Sequence, residues 1–264
     1  MSYKFSKEEI NELIGVTDSS LAPKKLMDTL FNEQDRNKLF QRFLNVSKDL
    51  SEDWFGQYFE IKKPKSVQHE FNGDESRIEE CELFGSMDAV SGMSNEDYGA
   101  GTGGNTIAVW QDDLKQTYPV SYEPEKYLYV CKEEFDEMIP FLLFNLSIRG
   151  MNGIVWHGDY WERECKGVFI TRNMKNCSSA YSDIKIFPCT DENARVFFVE
   201  KWIDHKEYSK YATNSTYKLG ESNIDRMIAL EKMFKPSRHF SRLREKNEME
   251  MGLIYGNGSN LRNC

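Results

Sequence analysis

The sequence predicts an α/β fold of the nucleotide-binding kind, with a helical segment ahead of the sheet. Three observations predict it. A glycine cluster (Gly99, Gly101, Gly103 and Gly104) leads into a helix-like segment through Ile107, Val109 and Trp110. An aromatic and β-branched run, Tyr127 to Cys131, ends at the acids Glu133 and Glu134. A long apolar segment, Asp136 to Arg149, is followed by a second β-like run that closes at Asp159. Loop, helix, strand, helix, strand is the order of a nucleotide-binding α/β unit.

Residues 1–60 read as helices. Ser6 with Glu9 three residues on forms a capping box ahead of Ile10, Leu13 and Ile14, and Gly15 ends that helix. A second helix includes Lys25 to Phe31. A third begins near Asn32, where Leu39, Phe40, Phe43 and Leu44 recur at helical spacing. A fourth follows Ser51, with Trp54, Phe55, Tyr58 and Phe59 on one face. That face reads as a core stripe packing the helices on the sheet domain, and its alternative is a stacking surface for a flipped base.

From Ile61 to Glu96 the periodicity weakens, and the stretch reads as a connection with one helix from Glu75 to Phe84. A strand should lead into the glycine loop, yet the residues before Asp97 are a poor one. The loop itself allows positive φ and close approach of a ligand, while the following helix N-terminus offers N–H groups.

Acids at the end of the Tyr127–Cys131 strand can accept ribose hydroxyls or simply face the N-terminus of the next helix. That next helix is apolar nearly all round through Phe141, Leu142, Leu143, Phe144 and Leu146, so it must be buried on most sides. His157 reads as a satisfied histidine at a strand end, the alternatives being a metal ligand or general base. Three further strands are expected at Gly167 to Thr171, Asp183 to Phe187 and Arg195 to Val199. A helix from Ser222 to Met233 then precedes a basic run, Lys235, Arg238, Arg242, Arg244 and Lys246, which can contact DNA phosphates or form a solvated face. The expected organisation is a helical segment (1–60), a connection (61–96), the α/β domain (97–205) and a helical, basic extension with a loose tail (206–264).

With 264 residues, 39% of them hydrophobic, the chain can build a real core. A net charge of -9 argues against wholesale coating of nucleic acid and leaves room for a local basic surface. The six cysteines show neither a CxxC pair nor zinc-ligand spacing, which reads as reduced thiols in a cytoplasmic protein. No apolar run approaches the roughly 18 residues of a membrane span, so no membrane partner is expected.

The string from Asp97 to Trp110 and the string "IPFLLFNLSIRGMNG" with its following "HGD", Ile139 to Asp159, resemble the S-adenosylmethionine-dependent adenine-N6 DNA methyltransferases of restriction-modification systems and their phage-encoded relatives. "LIGVTDS" and "LSEDWFGQYFE" resemble the helical N-terminal segment of the same proteins. The resemblance implies a Rossmann-like methyltransferase sheet with S-adenosylmethionine as a cofactor, retained or lost. It implies that Asp97, Ala100, Gly101, Thr102 and Gly103 hold the methionine part, that Glu133 binds the ribose, and that Asp159 lies beside the adenine.

The departures point away from catalysis. The family transfers methyl through an (Asp/Asn/Ser)-Pro-Pro-(Tyr/Phe) tetrapeptide, and none of the seven prolines here neighbours another. Lys132 replaces a second acid usual at the strand end, and "QHEFN" (Gln68 to Asn72) stands where a cofactor segment is expected. The expectation is a methyltransferase-like protein without catalysis that binds double-stranded DNA or a defence or restriction protein complex, as in a phage anti-defence role. An active, divergent adenine-N6 DNA methyltransferase is the alternative.

Overall fold

The computed structural model describes residues 4–60, 95–117 and 122–211. The expected helices at 75–84 and 222–233, the segment Gln68 to Asn72, Cys81, Cys264 and the basic run Lys235 to Lys246 lie outside them. The chain divides into two compact units, Met1–Lys218 and Leu219–Cys264, and all described residues belong to the first.

The N-terminal helices follow their sequence signals closely. Helix α1 (Lys7–Ile14) is closed by a reciprocal box in which the Glu9 amide donates to Ser6 Oγ (3.1 Å) and the Ser6 amide to Glu9 Oε2 (2.8 Å). Gly15 ends it at φ 84°, a left-handed conformation that glycine adopts without steric cost. Helix α2 spans Ala22–Leu30 and α3 spans Glu33–Val46, with Asn32 as N-cap. The short α4 (Gly56–Glu60) carries Tyr58, while Trp54 and Phe55 sit just ahead of it.

Among the described residues the sheet contains six strands: β1 (Asn95–Tyr98), β2 (Tyr129–Glu133), β3 (Gly153–Asp159), β4 (Glu164–Arg172), β5 (Asp183–Ile186) and β6 (Lys201–Trp202). Helix α5 (Gly104–Gln116) joins β1 to β2, and α6 (Ile139–Ile148) joins β2 to β3. Strands β1, β2 and β3 are parallel neighbours. Beyond them β4 and β5 run antiparallel, and β6 pairs parallel with the start of β4. The fold is α/β with a mixed central sheet. Two successive crossovers in one direction put α5 and α6 on the same face. Among the described residues the strand order never reverses, so the crevice that a doubly wound sheet offers at a reversal is not formed by them.

Helix α6 is the centre of the core. All ten of its residues are buried, with the sheet on one side and the N-terminal helices on the other. Phe40, Phe43 and Phe55 meet Phe144 at ring separations of 4.9, 4.8 and 5.0 Å, and Phe55 also meets Phe141 at 4.9 Å. Of the aromatic stripe of residues 54–59, Trp54, Phe55 and Tyr58 are buried in this packing and Phe59 is half-buried against Phe141. Arg36 of α3 reaches Asp183 of β5 at 2.7 Å, fixing the helices to the sheet.

Two expectations are corrected. The residues before the glycine loop do form a strand, β1, because its ladder is supplied by the apolar β2 and by a Glu96–Lys132 ion pair rather than by its own composition. Arg195 to Val199 is not a strand. Thr190 caps a helix, α7 (Asp191–Val196), whose first turn carries Asp191 and Glu192, and Phe198 at φ 56° turns the chain into β6. Phe197 and Val199 are buried because this segment covers the second sheet face, where Trp156 Nε1 donates to the Phe197 carbonyl at 3.3 Å.

Candidate functional site

The carboxyl ends of β1, β2 and β3 carry the glycine loop, Glu133 and Asp159 respectively, so the fold gathers these residues along one edge of the sheet. Several backbone and side-chain groups there bond within the chain. The amides of Gly99 and Ala100 donate to the Lys132 carbonyl at 2.9 and 3.1 Å, and the Gly103 amide donates to the Ala100 carbonyl at 2.8 Å. Gly103, at φ 98°, begins α5, and an added Cβ would lie 2.9 Å from Leu142 Cδ1. Glycine there serves close packing of the loop on α6.

Glu133 is the hub. Its Oε2 accepts the Gly101 amide at 2.6 Å, and its Oε1 accepts the amides of Glu134 (2.9 Å) and Phe135 (2.8 Å). Only 3% of the residue is exposed. Burial pushes its carboxyl above the usual range, while the three amides act in the opposite direction. Asp97, also buried, turns toward α5 and accepts from Thr106 Oγ1 at 2.6 Å; burial raises its carboxyl too. Asp159 closes a turn by accepting the amides of Trp161 (2.9 Å) and Glu162 (3.0 Å) through one oxygen. All three acids are engaged by groups of the chain itself, whereas the first turn of α5 has no side-chain cap.

Thr102 is held by residues that the sequence pattern did not single out. Its hydroxyl donates to Asp53, and Asn145 Nδ2 donates both to Asp53 Oδ1 (2.9 Å) and to the Thr102 carbonyl (2.7 Å). Arg149, one helical turn after Asn145, donates to Asn145 Oδ1 (2.8 Å) and to the carbonyls of Leu50 (2.8 Å) and Glu52 (2.6 Å). It is fully buried, which lowers its guanidinium to about 10. The available signal was a polar pair at i, i+4 inside an otherwise apolar run: such residues must find partners when buried.

His157 is buried between Tyr208, whose hydroxyl is 2.8 Å from Nδ1, and Asp136, whose Oδ1 is 2.9 Å from Nε2. Lys166 Nζ reaches the same Asp136 oxygen at 2.5 Å. Nδ1 is paired with the Tyr208 hydroxyl, while Nε2 lies close to Asp136 without hydrogen-bond geometry; no trio of His, Cys, Asp or Glu suited to a metal occurs among the described residues. Glu134 is exposed and takes no part in the hub beyond its amide. Lys132 sits under aromatic rings, its Nζ 3.3 Å from the Tyr160 centroid and 4.5 Å from that of Tyr98. Cys131 and Cys165 are buried free thiols.

No helix among the described residues is long and apolar enough to cross a membrane. No family model matches the chain, and neither the curated proteins nor the solved structures supply a match.

Proposed function

We propose that the chain is a methyltransferase-like protein that performs no methyl transfer and acts, in the cytoplasm, by binding double-stranded DNA or a defence or restriction protein complex. The observation that carries this reading is the occupation of Glu133. The carboxylate that the resemblance assigns to a ribose accepts three backbone amides instead, one of them from the glycine loop itself. A ribose hydroxyl would compete with these buried contacts to a carboxylate, worth about 1.5–3 kcal/mol each. The absence of a Pro-Pro tetrapeptide agrees with it, since an amine must be aligned with the methyl group before transfer.

The active alternative draws on one observation, the placement of the loop and acids at the carboxyl ends of parallel strands, where open α/β sheets bind ligands. Calorimetric titration with S-adenosylmethionine, with and without mixed-sequence duplex DNA, separates the two. We expect no binding heat and no transfer of labelled methyl to the duplex. Incorporation above that of a heat-denatured control would overturn the proposal.

A further inference from the structure

We propose that the cleft between α2 and α3 binds phosphate groups. It has a volume of about 420 Å³ and is lined by Lys25, Thr29, Asp35, Lys38 and Arg42. The cleft is open to solvent: Lys25, Asp35, Lys38 and Arg42 are exposed and Thr29 is half-buried. Lys25 and Thr29 are one turn apart on α2. Asp35, Lys38 and Arg42 recur at i, i+3 and i+7 on α3, so each helix offers one wall. Behind these walls the buried Leu26, Leu30 and Leu39 fix the two helices together.

The charge is what selects the ligand. Three cations face one carboxylate in a protein whose net charge is -9, so the local sign opposes the average. Asp35 lies 3.7 Å from Lys38, whereas Lys25 and Arg42 have no carboxylate partner among the described residues. Lys38 and Arg42 are like charges at i, i+4 on α3, an arrangement that weakens an isolated helix and is relieved by an anion between them. The Thr29 hydroxyl is turned back to the Lys25 carbonyl at 2.8 Å and adds no negative charge. A guanidinium fork with two ammonium groups matches a multiply charged phosphate better than a single carboxylate. The ligand is a free polyphosphate or a few phosphates of a nucleic-acid backbone. The site is separate from the glycine loop and stands whether or not that loop takes a cofactor.

The test uses the full chain at low ionic strength with two probes: inorganic triphosphate by calorimetry and a labelled mixed-sequence duplex by anisotropy. The variants are Lys25→Gln/Arg42→Gln, Lys38→Gln, and Lys4→Gln/Lys48→Gln, which removes the same charge from exposed positions outside the cleft. Circular dichroism of each verifies folding. We expect the parent to bind at least one probe and each cleft cation removed to weaken binding about ten-fold, while the Lys4/Lys48 variant stays within two- to three-fold of the parent. If the duplex is the ligand, the double cleft variant lowers the slope of log affinity against log salt by about 2. Binding of triphosphate alone assigns the cleft to free polyphosphate. Flat titrations with both probes, or an equal loss in the Lys4/Lys48 variant, would overturn the proposal. S-adenosylmethionine titrated against the same proteins keeps the two questions apart: cofactor binding there counts against the non-catalytic reading and leaves the cleft result unchanged.

Discussion

Glu133 joins the end of β2 to the glycine loop through one carboxylate, and its two oxygens are not interchangeable with an amide. In Glu133→Gln one acceptor becomes a donor that faces either the Gly101 amide or the amides of Glu134 and Phe135. A buried donor opposite a donor leaves both unsatisfied, a loss of about 1–3 kcal/mol. We therefore expect the variant to unfold at lower denaturant and the Gly101 amide to exchange its hydrogen faster. A carboxylate kept only for a cofactor would leave both readouts unchanged. Its identity as a strand-end acid was legible in the sequence, but its ligand was not, because a strand-end carboxylate accepts equally from a ribose or from a neighbouring loop. The same holds for Asp97 and Asp159, whose partners are set by how the loop and turn fold back.

At the scale of elements, α6 carries the heaviest packing. Phe144 meets four rings of the N-terminal segment, Phe40, Phe43, Trp54 and Phe55, and truncation leaves a cavity that the nine other buried residues of a fixed helix cannot fill by collapse. Phe144→Ala should lose about 3–5 kcal/mol by chemical denaturation, with limited proteolysis cutting first in α1 to α4 if the helices detach. Elements written in their own residues were legible: the Ser6–Glu9 box and Gly15 bound α1, and the apolar run marked α6. Elements written in their neighbours' residues were not. Strand β1 has polar letters and exists because β2 offers a ladder and Lys132 a partner for Glu96. The Arg195–Val199 run has strand letters, yet the Thr190 cap and the acids behind it had already committed the chain to α7. Asn145 and Arg149 were hidden for a related reason: the groups they satisfy, at Thr102, Asp53, Leu50 and Glu52, lie 43 to 99 residues earlier in the chain.

Across the whole molecule, the burial that builds this core also encloses phenols. Tyr58 is raised to about 12, and Tyr122, Tyr129 and Tyr208 are raised further, in each case chiefly by burial. An unfolded tyrosine ionises near pH 10. Since the folded values are higher, their contribution to stability is complete below about pH 10 and is lost as pH rises through the folded values. The denaturant midpoint should hold from neutral pH to about 9 and fall beyond 10, with tyrosinate absorbance rising together with unfolding rather than before it. Phenols that ionise before any loss of structure would contradict this. The clamp of Asp53, Asn145 and Arg149 has a last consequence, in time rather than in energy. Its bonds close loops of 92, 97 and 99 residues. At about 5–20 residues per second, a ribosome needs roughly 5 to 20 s to deliver α6 after the first helices have emerged. For that interval α1 to α4 can pack only on one another, and the faces that will cover α6 stay exposed until the central helix has been made.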